Sequence, residues 1–439
     1  MPMPASKPDF DVLIIGGGPA GAAAALTLRK RPDIKVLVVE RGDYQQDKVG
    51  EALSPGTREL LRYLGVWEAF SGQQQLNIWG NQAAWGSDEL HCLDFIFTLH
   101  GSGWGLNRRA FEQLLADAVQ QQGGELWTQS RVEQLARTEA GWQVQVTDAQ
   151  GQLRHLTCRY VIDAAGRASP WSLQAGAVRV RYDNLMGLAN WLPRADGQQT
   201  EAFTLVEACE YGWWYGSPLP DGRLAVSLMS DQGLIQQQRL AKGDAWFALL
   251  AGTRHLRRLV SLDGPQPTPR ASPAYSARVT PPPDKAPIVA AGDAVASHDP
   301  LSASGIPRAL ATGIQAARAA ADALFGDGKL KKAYHDAVAQ DFGQYLGNHW
   351  RIYQAEQRWP RADFWRFRTA QPQLAPTTLV GRGRAQESLF VPDKVARRLL
   401  ELAASPQPAH QLLAGLSAEQ PDLPVERLLL AMEELLAPA

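Results

Sequence analysis

The chain has 439 residues, 45% hydrophobic and 20% charged, enough to bury a large core and to divide into two or three domains. A formal net charge of −1 provides no electrostatic footprint for nucleic acid or an acidic membrane, so neither is expected as a partner. Three cysteines, Cys92, Cys158 and Cys209, show no Cys-x-x-Cys spacing and no histidine pairing. They argue against a zinc site or disulfide framework and read as buried thiols in a reducing cytoplasm.

Residues 1–10 are polar and proline-bearing, without a signal pattern, and no apolar run reaches the ~20 residues of a membrane span. The expectation is a soluble, cytoplasmic protein. Val12-Leu-Ile-Ile15 reads as a buried parallel strand. It runs into Gly16-Gly17-Gly18-Pro19-Ala20-Gly21 and then an Ala-rich helix through Leu28. This is Gly-x-Gly-x-x-Gly in its strand–turn–helix context. Gly16 permits the tight turn, Gly18 lets a pyrophosphate approach the backbone, and Gly21 lets helix and strand pack closely, with the helix N-terminus facing the phosphates. A second strand, Val36–Val39, ends in Glu40, close to the ~20-residue spacing expected of a carboxylate on ribose hydroxyls. Arg41 follows it as a further cofactor-side candidate.

Three later segments extend the cradle. Leu106–Leu115 opens an amphipathic helix with Arg108 three residues before Phe111; Val161–Arg167 is a strand ending in a small-residue turn; Pro287–Ala294 is another, ending in Gly292-Asp293. Asp299-Pro300-Leu-Ser-Ala-Ser-Gly305 then precedes an Ala-rich helix. Over roughly residues 10–370 this set resembles the flavoprotein monooxygenase family that includes para-hydroxybenzoate hydroxylases, geranylgeranyl reductases and flavin halogenases. The resemblance implies bound FAD, with Glu40 on the adenosine ribose, Arg108 near the phosphates or ribityl chain, and Gly292 and Asp293 at the ribityl hydroxyls. It puts Pro300 and Gly305 beside the isoalloxazine ring, where a helix dipole favours the anionic reduced flavin. Taken singly, Arg108 or Asp293 would read as a surface charge.

Lys48-Val-Gly-Glu51-Ala-Leu-Ser-Pro55 resembles a turn of tryptophan halogenases and geranylgeranyl reductases, and Gly212-Trp213-Trp214-Tyr215-Gly-Ser217-Pro218 stands where halogenases carry Trp-x-Trp-x-Ile-Pro. The halogen-delivering lysine is missing: Gln73–Trp85 has none, and none occurs between Lys48 and Lys242. Tyr353–Arg366 is similar to a segment of the flavoproteins of cysteine tryptophylquinone biosynthesis, which oxygenate a Trp side chain within a partner polypeptide. Its aromatic stripe reads equally well as a packing helix.

The resemblance implies an α/β fold: a Rossmann-like FAD-binding domain of the glutathione reductase and para-hydroxybenzoate hydroxylase type, an interleaved antiparallel β-sheet substrate domain, and a small C-terminal helical appendage. The expected FAD-domain pieces are 1–80, 100–180 and 285–370, and the substrate-domain pieces 80–100 and 181–284. Strands are expected at Leu185–Leu192, Glu201–Glu207 and Leu224–Met229, and a proline-dense crossover at Pro265–Asp284. Residues 371–439 would be a linker (Gln371–Leu379, Gly381–Glu387) and helices at Val391–Ala403, His410–Gly415 and Val425–Leu436.

The implied activity is hydroxylation of an electron-rich aromatic ring by reduced FAD and O2, the reductant being NAD(P)H or a separate flavin reductase. The substrate is expected to be a Trp in a partner polypeptide. Fourteen tryptophans suit an aromatic substrate site as well as a core. Catalytic candidates are Glu51, His298 and Asp299, with Glu207 also near the motifs; Asp299 could instead cap the turn that follows it. Trp213, Trp214 and Tyr215 are substrate-binding candidates that could also line the sheet core. Halogenation, small-molecule hydroxylation, double-bond reduction and an FAD-stabilised scaffold are the alternatives. The oligomeric state is open.

Overall fold

The computed structural model describes residues 7–73, 75–95, 101–195, 202–370, 372–375, 377–420 and 423–438. The apolar β-branched runs near the N-terminus form the middle of a seven-stranded sheet, parallel at its centre. Its order runs Glu125–Trp127, Val36–Val39, Phe10–Ile15, Leu153–Asp163, with Ile288–Ala290 paired to the last of these. The long strand Leu153–Asp163 serves two neighbourhoods. Its first half pairs antiparallel with Gly141–Thr147, and its second half lies in parallel register beside Phe10–Ile15, with Leu13 opposite Val161. The strand ends therefore gather Gly16, Gly166 and Gly292 at one edge.

The helix Pro19–Leu28 is buried almost throughout, which its small Ala and Gly side chains allow. Gly313, on the helix Gly305–Phe325, faces it so closely that an added Cβ would lie 2.2 Å from the Ala20 carbonyl oxygen. These two helices and Arg108–Gln121 share one core with the sheet.

A second seven-stranded sheet has the order Arg270–Pro273, Leu185–Pro193, Arg223–Asp231, Gly212–Pro218, Phe203–Cys209, Gly80–Ala84, His91–Asp94. All pairs are antiparallel except Phe203–Cys209 with Gly80–Ala84. The strand expected from Glu201 starts at Phe203; Glu201 lies outside the described residues. The segment expected as a proline-dense crossover carries two strands, Arg270–Pro273 and Ala277–Val279. The first is an edge strand ending in proline, where no missing N–H interrupts a ladder.

The C-terminal residues form three helices, Asp393–Leu402, Ala409–Glu419 and Val425–Leu435, and a small sheet in which Leu379–Arg382 pairs with Gln407–Pro408 and Leu436–Pro438. Part of the expected linker is thus a strand, whose four residues are too few to show a pattern. The module is no loose appendage either. It shares a hydrophobic core with Phe342, Tyr345, Leu346 and Trp350 of the helix Leu330–Gln354. Among the described residues, no helix is long and apolar enough to cross a membrane.

Candidate active site

Gly16 has φ +105°, and a Cβ there would strike the Ala164 carbonyl oxygen at 2.4 Å; a Cβ on Gly21 would meet the Gly16 oxygen at 1.8 Å. Only glycine fits either place. Gly18 differs: an added Cβ meets nothing within 4 Å, as is also true at Gly166 and Gly305. These three positions border open space at the edge where the parallel strands end, and Gly18 caps the Pro19–Leu28 helix.

Glu40 is buried, its Oε2 accepting the Gly17 amide and its Oε1 the Gly42 amide, both at 2.7 Å. Tyr44, buried with φ +62°, donates its hydroxyl to the Gly17 carbonyl. Nothing in its sequence context marks it. Arg41 is exposed. Gly292 has φ +61° and donates its amide to Thr312 Oγ1, and a Cβ there would crowd Ala20 at 2.8 Å. This brings Asp293 to the glycine turn. Asp293, about 40% exposed, accepts Arg167 Nε at 2.9 Å, while Arg167 also donates to the Tyr275 and His298 carbonyls. Arg167 therefore ties together segments that the sequence separates by more than a hundred residues. Arg108 donates to the Val49 and Gly50 carbonyls and pairs with the buried Glu112, which also holds Lys48. Its contacts stabilise the Lys48–Glu51 loop, and its Nε stays buried without a partner.

Open space bounded by three glycines, a helix N-terminus, a ribose-ready carboxylate and a second carboxylate fits FAD. Gly16, Gly18 and Gly21 could hold the pyrophosphate, Glu40 the adenosine ribose, Asp293 the ribityl chain and the Gly305 helix start the flavin ring.

Glu51 is 3% exposed. Its Oε2 accepts the Gly50 amide at 2.9 Å, and its Oε1 is buried with the Trp191 indole as neighbour. Burial pushes its carboxyl up to about 7, against the opposing pull of Arg108. Tyr215, whose phenol is raised by burial and by the Glu51 charge, lies on the same side. The buried Ser217 hydroxyl lies two residues along the same strand.

His298 is buried and held well below the usual histidine range by burial and by the charges of Arg308, Arg167 and His349, so its imidazole is neutral at pH 7. Its Nε2 has no hydrogen-bond partner, with Asp341 4.0 Å away. Asp299 is committed elsewhere. Burial would raise its carboxyl, but His349 Nε2 at 3.0 Å and the Tyr353 hydroxyl at 2.6 Å bring it below the usual range. It also accepts the Leu301 amide, capping the Pro300–Ser302 turn. These contacts give it the turn-capping role and hold its carboxylate against Tyr353 and His349. Glu207 is likewise occupied, accepting the amides of Arg254, His255 and Leu256.

The expected aromatic trio splits. Neighbours on a strand point to opposite faces. Trp214 packs on Trp246 under the helix-covered face, 0% exposed, so it cannot stack on a substrate. Trp213 is equally buried on the other face and donates its indole N–H to Tyr353 at 2.8 Å. Only Tyr215 remains beside Glu51.

The sequence profile of the family described as FAD binding domain matches residues 9–341. LodB of Marinomonas mediterranea, described as an FAD-dependent oxidoreductase, is 32% identical over 366 residues, covering 82% of this chain and 97% of that protein. Among solved structures, the myxobacterial chondrochloren halogenase CndH superposes with a TM-score of 0.74 at 21% identity, covering 82% of this chain and 86% of its own. QhpG, a peptidyl tryptophan dihydroxylase essential for tryptophylquinone cofactor biogenesis, superposes at 0.67 and 22% identity, covering 94% and 96%. At these identities the two structures establish the fold.

Proposed function

Since the chain belongs to the FAD binding domain family of flavin-dependent oxidoreductases, we propose that it is a monooxygenase whose substrate is the indole of a tryptophan within a partner polypeptide. The observation that carries the reading is Glu51: a buried carboxyl with a pKa of about 7, beside Tyr215 and Trp191. A general acid–base group is most effective when its pKa lies near the working pH. The resemblance of Tyr353–Arg366 to the tryptophylquinone-forming flavoproteins, and the likeness to QhpG over nearly the whole chain, favour a peptide-borne indole. The absence of any lysine between Lys48 and Lys242 disfavours halogenation.

When bound and reduced, FAD supplies with O2 an electrophilic oxygen. The chain's residues do the rest. Gly18, Glu40 and Asp293 hold the cofactor, and Tyr215 orients the ring. The indole carbon that receives oxygen must lose its hydrogen to restore aromaticity, and the Glu51 carboxylate takes that proton. Tryptophan offers an electron-rich ring suited to this chemistry without a metal. The reductant is NAD(P)H or a separate flavin reductase.

The test is mass spectrometry of a candidate partner incubated with enzyme, reductant and ¹⁸O2. Label on a partner tryptophan is expected. Label on free tryptophan or a small phenol, with the partner untouched, would reject the peptide substrate. A brominated product in the presence of bromide would restore halogenation. No product from chemically reduced enzyme would favour a scaffold, and a saturated double bond a reductase.

A further inference from the structure

Behind the Asp299–Gly305 turn lies a set of contacts that the proposed hydroxylation does not use. Trp213 donates its indole N–H to Tyr353 Oη at 2.8 Å, and Tyr353 donates its hydroxyl to Asp299 Oδ2 at 2.6 Å. The Tyr353 ring stands 5.9 Å from Trp365 and 5.5 Å from Trp85, centroid to centroid, and Trp85 stands 5.3 Å from Trp365. Trp213, Tyr353 and Trp365 are 0% exposed, whereas Trp85 is partly exposed.

We propose that Trp213, Tyr353, Trp365 and Trp85 form a path along which single oxidising equivalents pass from the Asp299–Gly305 turn to the surface, Asp299 taking the Tyr353 phenolic proton as its electron leaves. Indole and phenol are, with the cysteine thiol, the side chains most readily oxidised by one electron, and every member of the path is an indole or a phenol. A plain aromatic core would explain the ring contacts, and any buried phenol needs a polar partner; what singles out this one is that its partner is a buried carboxylate. The phenol sits between an N–H donor and a buried carboxylate, an arrangement that lets it lose electron and proton together and avoids a charged ring in a dry interior.

The oxidant is of the flavin–oxygen class, left without a substrate. Tyr353 gives it one electron and gives its proton to Asp299 Oδ2, becoming a neutral phenoxyl. An electron from Trp365 or Trp85 refills Tyr353 while the proton returns from Asp299. A thiol or ascorbate in solution then refills the outer indole and is itself oxidised by one electron. Trp359 stacks on Trp365 at 6.2 Å and offers a side branch. The Arg358 guanidinium 4.5 Å above its ring opposes positive charge there, so Trp85 is the main exit.

The proposal rests on FAD binding and not on the substrate. Its test uses the FAD-loaded protein under blue light in air, since photoexcited flavin is a one-electron oxidant whatever reaction the enzyme catalyses. Freeze-trapped paramagnetic resonance and peptide mass mapping provide the readouts. A neutral tyrosyl signal, absent in Tyr353→Phe, is expected, with oxygen added to Trp85 several-fold more than to Trp79. Trp79 is the control because it is 48% exposed and off the path. In Tyr353→Phe, oxidation of Trp85 should fall several-fold, and in Trp85→Phe it should retreat to Trp365 and Trp213. Trp85 sits at the surface, so that second variant keeps the fold if the first does not. Oxidation that follows exposure alone, with Trp79 foremost and neither variant altering the pattern, is the signature of diffusing peroxide and would overturn the proposal.

Discussion

At the scale of single residues, Gly18 and Glu51 make separable predictions. Gly18 has φ −69° and ψ −173°, an extended conformation open to any residue, and its Cβ would meet only open space. Gly18→Val should therefore fold, with no more than the small loss of a less favoured N-cap residue, yet bind FAD at least about tenfold more weakly, a loss of about 1.4 kcal/mol. Stoichiometric FAD in the purified variant would defeat the cradle assignment. Glu51→Gln should lower kcat about 10²-fold and remove the limb of the pH–rate profile near 7. The same residue predicts a stability effect in the FAD-free protein. Its folded pKa of about 7 lies above the 4.5 of an unperturbed glutamate, so the folded state binds the proton more tightly. The wild type should match Glu51→Gln near pH 4 and lose ground as pH rises through 4.5 to 7, ending on the order of 3 kcal/mol less stable. Equal pH dependence of unfolding in the two proteins would show that Glu51 titrates normally.

At the scale of elements, two helices pack in close contact at the cradle. Gly313 lets the Gly305–Phe325 helix approach Pro19–Leu28, so Gly313→Ala should push them apart, at a cost of about 1–3 kcal/mol, and weaken FAD binding with it. A calorimetric melt and a flavin titration would detect both effects, and an unchanged melt would mean that the helices yield more easily than their contact suggests. The cradle is local in sequence. Strand, glycine turn, helix, strand and Glu40 occupy one continuous stretch, and each element carries its own signature. The Asp299 site is not local. His349 and Tyr353 reach it from a helix some fifty residues on, and Arg167 reaches Asp293 across more than a hundred. Side chains that meet only through tertiary packing leave no spacing to read. Trp213 and Trp214 are neighbours in a strand, so alternation sends them to opposite faces of the sheet. The short strands Arg270–Pro273 and Leu379–Arg382 are not legible because four residues, with proline or glycine among them, carry too little pattern.

For the molecule as a whole, the C-terminal module bears on how a protein-borne tryptophan is recognised. As an appendage it could be cut off to test docking, but its core is continuous with the helix that supplies His349 and Tyr353. Removing residues 390–439 would return Phe342, Tyr345, Leu346 and Trp350 to water, at roughly 1.5–3 kcal/mol for each large apolar side chain. That loss is comparable with the ~5–15 kcal/mol that holds a typical domain together. The truncated protein is therefore expected to lose the Asp299 contacts and to aggregate or shed FAD, whatever role the module has in docking. A selective test must leave that core intact. Leu389 and Val425, 55% and 47% exposed, lie on the module and contribute little to its packing. Leu389→Asp with Val425→Asp should preserve flavin content and melting temperature. If the module receives the partner, this variant should oxygenate the partner's tryptophan several-fold more slowly while its oxidation of reductant without partner stays unchanged. An unaltered rate on the partner, with flavin and stability intact, would move the docking surface off these two positions and leave the site chemistry untouched.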